Sequence, residues 1–348
     1  MSVDSIAVET TLMYREAADA GRIVAEQLRR NRPIAEALGE RLRAMKPTGV
    51  VTCGRGSSDH AGLYGRYLIE TGTGLLVSSA APSIASVYAV TQKLDGVICI
   101  AISQSGQSPD LLASVHAAKA GGAFVIALVN VEDSPLAAAA DVVMPLRAGE
   151  ETSVAATKSF IASLSALAQL TGYWLQDQAL LDALDALPEQ LDAAWALDWS
   201  AAQPNLIEAT DLYVVGRGPG YGVACEAALK FKETCGLHAE AFSAAEVRHG
   251  PMALVKSGFP VLVLPQGDET EADTTGLAAE FAGRGARVMM AGASADARVI
   301  DLPVIQAHAA IQPILMIESF YRLAAGVSVA RGYDPDRPPY LNKVTETV

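Results

Sequence analysis

A strand-like segment that breaks into Gly-Arg-Gly occurs twice in this chain, and this repeat constrains the fold more than any other feature. The first copy ends at Gly56 and the second at Gly218, an offset of 162 residues. Each copy is an apolar run that turns through glycines into a helical pattern, at residues 61–70 and 223–233. Strand, tight turn and helix in that order begin a parallel-sheet unit. The sequence therefore predicts two similar halves.

Both halves continue with alternating strands and helices. Strands are predicted at 97–102, 124–129 and 141–145 in the first half, and at 260–264, 287–290 and 299–302 in the second. Helices are predicted at 109–120 and 272–282. This alternation produces parallel sheets with helices on both faces. We expect an α/β protein with two tandem domains, each a doubly wound parallel sheet flanked by helices.

The same pattern divides the chain into five segments. We expect a helical lead-in over 1–46, a first sheet domain over 47–175, a helical linker over 176–203, a second sheet domain over 204–331 and a tail over 332–348. The tail contains Pro335, Pro338 and Pro339, which are incompatible with a helix or a central strand. The tail is therefore predicted to be extended.

The composition argues against several classes of function. The 348 residues are 51% hydrophobic and 19% charged, so the chain can bury a large core. A formal net charge of −13 disfavours binding to nucleic acid. The first residues lack the basic and apolar regions of a signal peptide, and the apolar runs fall short of the roughly 20 residues of a membrane span. We expect a cytoplasmic protein without a nucleic-acid or membrane partner.

The four cysteines indicate a reducing compartment. Cys53, Cys99, Cys225 and Cys235 lie in apolar runs and show no CxxC spacing. Buried thiols fit this pattern better than disulfides or a metal site. We therefore expect no metal, and the chemistry considered below needs no organic cofactor.

A serine-rich loop follows the predicted strand 97–102. It reads Ser-Gln-Ser-Gly-Gln-Ser over residues 103–108 and precedes Pro109, a favourable first residue of a helix. Hydroxyl groups and backbone N–H groups would meet there at a helix N-terminus, which attracts anions. A plain N-cap turn is the simpler alternative. Three hydroxyls and two amides in six residues favour a phosphate site, to which Ser57 and Ser58 could add a donor.

The second Gly-Arg-Gly, at residues 216–218, is followed by Pro219 and Gly220 and invites a dinucleotide interpretation. No second strand ending in Asp or Glu follows about twenty residues later to hold a ribose, so the motif alone is weak. Close backbone approach to a ligand or a tight turn is the better explanation. Arg55 and Arg217 could simply cap neighbouring helices.

A third cluster is typical of proton-transfer chemistry. Lys230 and Glu233 lie one turn apart on a predicted helix, and His249 follows at a Gly-Pro break. A carboxylate, a cation and an imidazole can together open a sugar ring and move a proton between adjacent carbons. The alternative is a solvated Lys/Glu pair with a loop histidine, since exposed ion pairs are common and weak.

These segments resemble the sugar isomerase (SIS) family, and most of all the isomerising half of glucosamine-6-phosphate synthases. The resemblance rests on residues 56–58, 103–106, 151–158, 226–251 and 334–343, and it runs from about residue 13 to residue 348. The helix followed by His-Gly-Pro is specific, whereas a Ser-Gln-Ser-Gly loop marks only the wider fold. The resemblance implies two tandem SIS domains with a carboxyl-terminal tail at the active site.

The resemblance also implies which residues bind the substrate, a sugar phosphate. The phosphate-binding positions of the family match Ser58, Ser103, Gln104, Ser105 and Ser108. Val154 and Ala156 match positions whose backbone contacts the sugar.

For catalysis, the resemblance implies four roles. Glu233 matches the base that carries a proton between C1 and C2, and Lys230 matches a lysine that polarises the sugar oxygens. His249 matches a ring-opening histidine that the neighbouring subunit donates, which implies a homodimer with shared active sites. Lys343 matches a lysine that forms an imine with the open ketose.

Two departures from the family pattern shape the expected reaction. The family loop often reads Ser-Gln-Ser-Gly-Glu-Thr, and Gln107 and Ser108 stand in its last two places, so a charge beside the phosphate is lost while a hydroxyl is kept. The chain starts Met1-Ser2 and shows no glutaminase half with an amino-terminal cysteine nucleophile, so we expect no glutamine hydrolysis.

We therefore expect an amino-sugar phosphate isomerase and deaminase that converts glucosamine 6-phosphate and water into fructose 6-phosphate and ammonia. Three alternatives remain: an ammonia-dependent glucosamine-6-phosphate synthase subunit, a phosphosugar isomerase without nitrogen chemistry, and a non-catalytic sugar-phosphate-binding regulator. A regulator would keep the serine loop but would not need Lys230, Glu233, His249 and Lys343 together.

Overall fold

Two five-stranded parallel sheets form the framework of the protein in the computed structural model, which describes residues 6–343. The first sheet contains β1 (Gly49–Cys53), β2 (Val77–Ser79), β3 (Val97–Ser103), β4 (Phe124–Val129) and β5 (Val142–Val143). The second contains β6 (Asp211–Gly216), β7 (His238–Ser243), β8 (Pro260–Val263), β9 (Arg287–Ala291) and β10 (Ile300–Leu302).

The two sheets have the same strand order. The first runs β2-β1-β3-β4-β5, and the second, read from its β7 edge, runs β7-β6-β8-β9-β10. Every pair of neighbouring strands in both sheets is parallel. This order is doubly wound. In each half the second strand is added on one side of the first strand, and the third and later strands are added on its other side. The predicted fold class and the repeat are confirmed.

Twelve α-helices accompany the sheets in residues 6–343. They are α1 (Leu12–Ala18), α2 (Ala20–Met45), α3 (Ser57–Thr73), α4 (Ser83–Ser86), α5 (Pro109–Ala120), α6 (Pro135–Ala139), α7 (Lys158–Leu175), α8 (Gln178–Ala196), α9 (Gln203–Ile207), α10 (Pro219–Cys235), α11 (Glu271–Gly283) and α12 (Gln312–Ala330). Short 3-10 turns lie at Val8–Thr10, Ser200–Ala202, Glu246–His249 and Pro251–Leu254.

The repeated glycines occupy equivalent places. Gly56 is the N-cap of α3, with φ 54° and ψ −125°. Gly218 is the N-cap of α10, with φ 56° and ψ −140°. Both angles lie in a region that side chains with a Cβ avoid, so the strand can turn sharply into its helix only at glycine.

The described residues form two compact units. The amino-terminal unit comprises residues 22–151 and 158–186, and the carboxyl-terminal unit comprises residues 6–21, 152–157 and 187–343. The segment boundaries given above from the sequence stay a prediction. Residues 1–5 of the predicted lead-in and residues 344–348 of the predicted tail lie outside the described part of the chain.

Each unit has its own apolar core beside its sheet. In the first sheet, all six residues of β4 and six of the seven of β3 are buried. In the second, all four residues of β8 are buried, and Val261 and Val263 pack with Leu277 and Phe281 of α11. Strands buried on both faces are typical of parallel sheets covered by helices.

One helix corrects the expectation that no apolar run reaches membrane length. Helix α12 has 19 residues and is long and apolar enough to cross a membrane by length and composition. However, 78% of its apolar window is buried within the structure. A core helix of a folded unit passes the same test, so α12 is weak support for a membrane span.

Candidate active site

The serine-rich segment begins at the last residue of β3. It therefore lies at the edge formed by the carboxyl ends of the strands, where ligands bind in doubly wound folds. Cys53, the last residue of β1, pairs with Ala101 of β3, so the two strands end at the same edge. The chain reverses its winding between these strands, and the crevice at such a reversal is the usual ligand site. Ser58 lies in the first turn of α3, and Ser108 is the N-cap of α5.

Hydrogen bonds within the serine loop fix its shape. The Ser103 hydroxyl oxygen accepts the Gly106 N–H at 2.9 Å, and the Ser105 hydroxyl oxygen accepts the Gln107 N–H at 3.4 Å. Gly106 has φ 65°, and a Cβ there would lie 2.6 Å from Cβ of Ser134. Since each hydroxyl accepts in these bonds, its own proton stays available as a donor to an anion.

Sequence reasoning missed an ion pair beside this loop. Asp110, in the first turn of α5, is 1% exposed and accepts two hydrogen bonds from the Arg55 guanidinium, at 2.9 and 2.7 Å. It also accepts the Leu111 N–H at 2.8 Å, so one donor of the helix N-terminus is already used. Arg55 pairs with a carboxylate and does not cap a helix.

Helix α10 carries a buried lysine between two carboxylates. The Lys230 side chain is 1% exposed; its Nζ lies 3.3 Å from Oε1 of the fully buried Glu226 and donates a hydrogen bond to Oε2 of Glu233. Burial by itself lowers the pKa of Lys230, but the two carboxylates outweigh burial and raise that pKa above its ordinary value. Lys230 therefore stays a cation, and this is no solvated surface pair.

Glu233 is the member of the trio that reaches the surface. Its side chain is 24% exposed, whereas those of Lys230 and Glu226 are almost completely buried. A carboxylate that is partly desolvated and backed by a buried cation can face a substrate while its other side is held in place. This arrangement is suited to a proton-transfer group with a fixed position.

The carboxyl end of α10 is held by residues that come later in the chain. Gly236 ends the helix with φ 56°, and its Cα packs against the Tyr333 ring so closely that no Cβ would fit. The Arg331 guanidinium donates to the Cys235 carbonyl oxygen at 2.8 Å and to three carbonyl groups at the end of α9. These bonds fix the helix end that carries Lys230 and Glu233.

His249 lies on an exposed turn of the carboxyl-terminal unit. It ends the 3-10 turn Glu246–His249 that follows β7, and Gly250 after it has φ 143°. Within residues 6–343, the His249 imidazole makes no hydrogen bond. The preceding residue, Arg248, donates to Asp273 Oδ1 at 2.6 Å, and Arg217 pairs with the same carboxylate. The turn is thus anchored through Arg248 and leaves the imidazole accessible.

The residues predicted to contact the sugar lie in a short turn of the same unit. Val154 and Ala156 are half-buried. Lys343 donates a hydrogen bond from Nζ to the Ser153 carbonyl oxygen at 2.6 Å. The structure thus brings Lys343 together with this turn, and Lys230 together with Glu233. The five residues predicted to bind the phosphate lie in the amino-terminal unit.

Comparison with known proteins identifies the family. The SIS domain model matches residues 46–172 and 205–298, and these ranges follow the two sheets. The chain belongs to the SIS domain family.

Two solved structures are similar to this SIS chain over nearly its whole length. A protein from Silicibacter pomeroyi, provisionally named a phosphosugar isomerase, is 41% identical, with a TM-score of 0.90 over 94% of this chain and 100% of that one. The C-terminal domain of glucosamine-fructose-6-phosphate aminotransferase from Francisella tularensis is 25% identical, with a TM-score of 0.83 over 97% of this chain and 100% of that one.

A curated relative gives the same family. The isomerizing glutamine–fructose-6-phosphate aminotransferase of Symbiobacterium thermophilum is 36% identical over 325 residues, which are 87% of this chain and 52% of the relative. The chain spans about half the length of the curated aminotransferases it matches. Together these findings support an enzyme of the sugar phosphate isomerase type.

In the second SIS domain, the Gly-Arg-Gly turn packs against a buried glutamine. In the second domain, the Gln266 side chain is 1% exposed and its Oε1 accepts the Gly220 N–H of α10 at 2.6 Å. A Cβ on Gly218 would lie 2.7 Å from Nε2 of Gln266. The second Gly-Arg-Gly is therefore a tight turn packed against a side chain of its own domain, and the dinucleotide interpretation has no support.

The serine loop leads to a first prediction. Replacing Ser105 with Ala removes one hydroxyl donor, and we expect sugar-phosphate binding to weaken by about 1–3 kcal/mol, the usual cost of an unpaired buried charged acceptor. Calorimetric titration with glucosamine 6-phosphate measures this loss. Ser78→Ala, at an exposed serine of β2, is the matched control. Equal affinity in the two variants would show that Ser105 does not bind the phosphate.

Proposed function

We propose that this chain is an amino-sugar phosphate isomerase that transfers a proton between C2 and C1 of its substrate. The proposed reaction converts glucosamine 6-phosphate and water into fructose 6-phosphate and ammonia. The observation that carries the proposal is the buried Lys230 cation held between Glu226 and Glu233, with only the Glu233 carboxylate reaching the surface. A structural ion pair alone would not need one carboxylate left open beside a buried cation.

The proposed mechanism uses each candidate in turn. His249 takes a proton from the O1 hydroxyl and returns one to O5, which opens the ring; histidine suits this step because imidazole changes charge near neutral pH. Glu233 then removes the proton from C2 and delivers it to C1. Lys230 stabilises the negative charge that develops on the sugar oxygens during this transfer.

The product of the proton transfer is an imine at C2. Water adds to C2, the C–N bond breaks, and ammonia leaves, so fructose 6-phosphate is released. Lys343 is proposed to hold an open ketose as an imine when the reaction runs in reverse. The hydroxyl groups of Ser58, Ser103, Ser105 and Ser108, with Gln104, are proposed to bind the phosphate, and the backbone of Val154 and Ala156 to contact the sugar.

The direct test incubates the purified chain with glucosamine 6-phosphate and measures ammonia and fructose 6-phosphate. Both products should appear in equal amounts. Incubation with fructose 6-phosphate and ammonium ions tests the reverse reaction, the synthesis of glucosamine 6-phosphate. This reaction is the second candidate function, and the similarity to aminotransferases supports it. A chain that binds the sugar phosphate but forms neither product in either direction would be a regulator, and the proposed function would be wrong.

The exposure of His249 leads to a prediction about assembly. We propose a homodimer in which His249 completes the active site of the partner, because its turn is anchored through Arg248 while the imidazole stays accessible. Mixing a His249→Ala chain with a Glu233→Gln chain should then restore activity to about a quarter of wild type through hybrid sites, a result that two-fold symmetry predicts.

The assay uses the two variants alone as controls, and each should be nearly inactive. Subunits must be mixed after partial denaturation so that they exchange. Activity of the mixture equal to the sum of the separate variants, in a sample shown to contain hybrids, would place His249 in its own subunit's site.

A cytoplasmic location is part of the proposal. All four cysteines are free thiols, and burial raises the pKa of Cys53 to about 11 and those of Cys99 and Cys235 to about 12. Buried, protonated thiols are unreactive and suit a reducing compartment.

A further inference from the structure

Helix α1 binds the carboxyl-terminal tail at its first turn. The two carboxylate oxygens of Asp336 accept the N–H groups of Leu12 and Met13, at 2.7 and 2.8 Å. The first N–H groups of a helix have no partner within the helix, so a carboxylate there satisfies donors and faces the favourable end of the helix dipole. More than 300 residues separate Asp336 from α1 in the sequence.

The same helix binds the proposed sugar-contact turn one turn further along. The Glu16 carboxylate accepts the Thr152 N–H at 2.5 Å and the Ser153 N–H at 3.1 Å. Glu16 is 9% exposed, so these bonds form away from bulk water. Charge-assisted bonds to backbone donors are short and strong, and a buried carboxylate that lost them would pay its full desolvation cost.

A third contact closes the ring between these segments. Lys343, seven residues after Asp336, donates from Nζ to the Ser153 carbonyl oxygen at 2.6 Å. The backbone of Ser153 thus contacts Glu16 through its N–H and Lys343 through its carbonyl oxygen. Helix α1, the turn 152–157 and the tail 334–343 are linked in a closed set of contacts, all within the carboxyl-terminal unit.

We propose that Glu16 and Asp336 are positioning residues, and that together they hold Lys343 against the backbone turn that contacts the sugar. Neither carboxylate has to touch substrate. Glu16 sets where the turn lies, Asp336 sets where the tail lies, and α1 fixes the distance between them. The kinetic part of this inference rests on the proposed function, because Lys343 and the turn act on substrate only in that reaction.

The structural part is tested by hydrogen–deuterium exchange on Glu16→Gln and Asp336→Ala, with Glu9→Gln, an exposed carboxylate just before α1, as the control. Each variant should speed exchange at least about fivefold in both segments, 152–157 and 334–343, because local opening exposes linked backbone together. A local structural role would loosen only the segment next to each substitution. Exchange that changes in one segment alone, in both folded variants, would overturn the proposal.

The kinetic part is tested with glucosamine 6-phosphate. Misplaced reacting groups cost catalysis more than binding, so we expect kcat to fall at least about tenfold in both variants, while affinity for inorganic phosphate stays within twofold of the control. An unchanged kcat in an active enzyme would refute the positioning role. Wild-type chain that releases no ammonia would instead refute the proposed function, and the exchange result would still decide whether the ring of contacts exists.

Discussion

Glu233→Gln should abolish nearly all proton transfer while sugar phosphate still binds. Glutamine keeps the size of the side chain and can still accept the hydrogen bond from Lys230, but it cannot take up a proton. Removing a general base costs roughly 10²–10⁴-fold in rate. We therefore expect kcat for release of ammonia to fall by at least that factor, with the affinity for glucosamine 6-phosphate within a few fold of wild type.

The control for this variant lies on the same helix. Lys232 is exposed, and Lys232→Gln changes the charge of α10 by the same magnitude, with the opposite sign, without touching the trio. Its kcat should stay within twofold of wild type. Wild-type activity in Glu233→Gln would mean that another group is the base, and the assignment of the site to α10 would be wrong.

Lys230→Met should cost more stability than any surface substitution in the protein. The variant leaves the fully buried Glu226 carboxylate without its cation. Breaking a buried ion pair on one side typically costs about 3–5 kcal/mol. We expect the free energy of unfolding, measured by urea denaturation at pH 7, to fall by about that amount, together with loss of activity.

The pH dependence of this loss has a defined sign. The pKa of Lys230 is raised in the folded chain, so the contribution of its charge is complete below the ordinary lysine value of 10.5 and disappears as the pH rises through the folded value. In wild type, the part of the stability that comes from the Lys230 charge should therefore be constant from pH 7 to pH 9. It should shrink only at pH values above 10.5.

A double variant separates charge from packing. In Lys230→Met with Glu226→Gln, no unpaired buried charge remains next to the methionine, so most of the lost stability should return. Activity should not return, because the cation is still missing. A double variant that is as unstable as Lys230→Met would show that packing, and not the unpaired Glu226 carboxylate, causes the loss.

The sheet framework could be read from the sequence because its strands are continuous apolar runs. The predicted range 124–129 coincides with β4, and the predicted helix 109–120 coincides with α5. Such runs are buried on both faces, so their pattern does not depend on the rest of the structure. The equivalence of Gly56 and Gly218 followed from their positions after such runs.

Other elements depend on tertiary packing and escaped prediction. Strand β7 reads His-Ala-Glu-Ala-Phe-Ser, which lacks β-branched residues and becomes a strand only by pairing with β6. Helices α7 and α12 are buried nearly all round, so they show no amphipathic stripe that would mark a helix.

Some contacts of the candidate site could likewise be predicted from the sequence, and others could not. Lys230 and Glu233 could be paired from their spacing along one helix, and the structure adds Glu226 as the third member one turn before Lys230. The pairing of Arg55 with Asp110 and the contacts of Glu16 with the turn 152–157 join residues far apart in the sequence. No local pattern predicts such pairs, and the roles assigned to the site residues stay predictions.

The central claim is that Glu233 moves a proton between C2 and C1, and the fate of solvent deuterium tests it most directly. Glucosamine 6-phosphate is incubated with enzyme in D₂O, and the fructose 6-phosphate is analysed by NMR and mass spectrometry. If Glu233 exchanges the proton that it carries with solvent during the transfer, deuterium should appear at C1 with wild type and Lys232→Gln. No deuterium should appear there with Glu233→Gln. Equal labelling at C1 by Glu233→Gln at the wild-type rate would contradict the account.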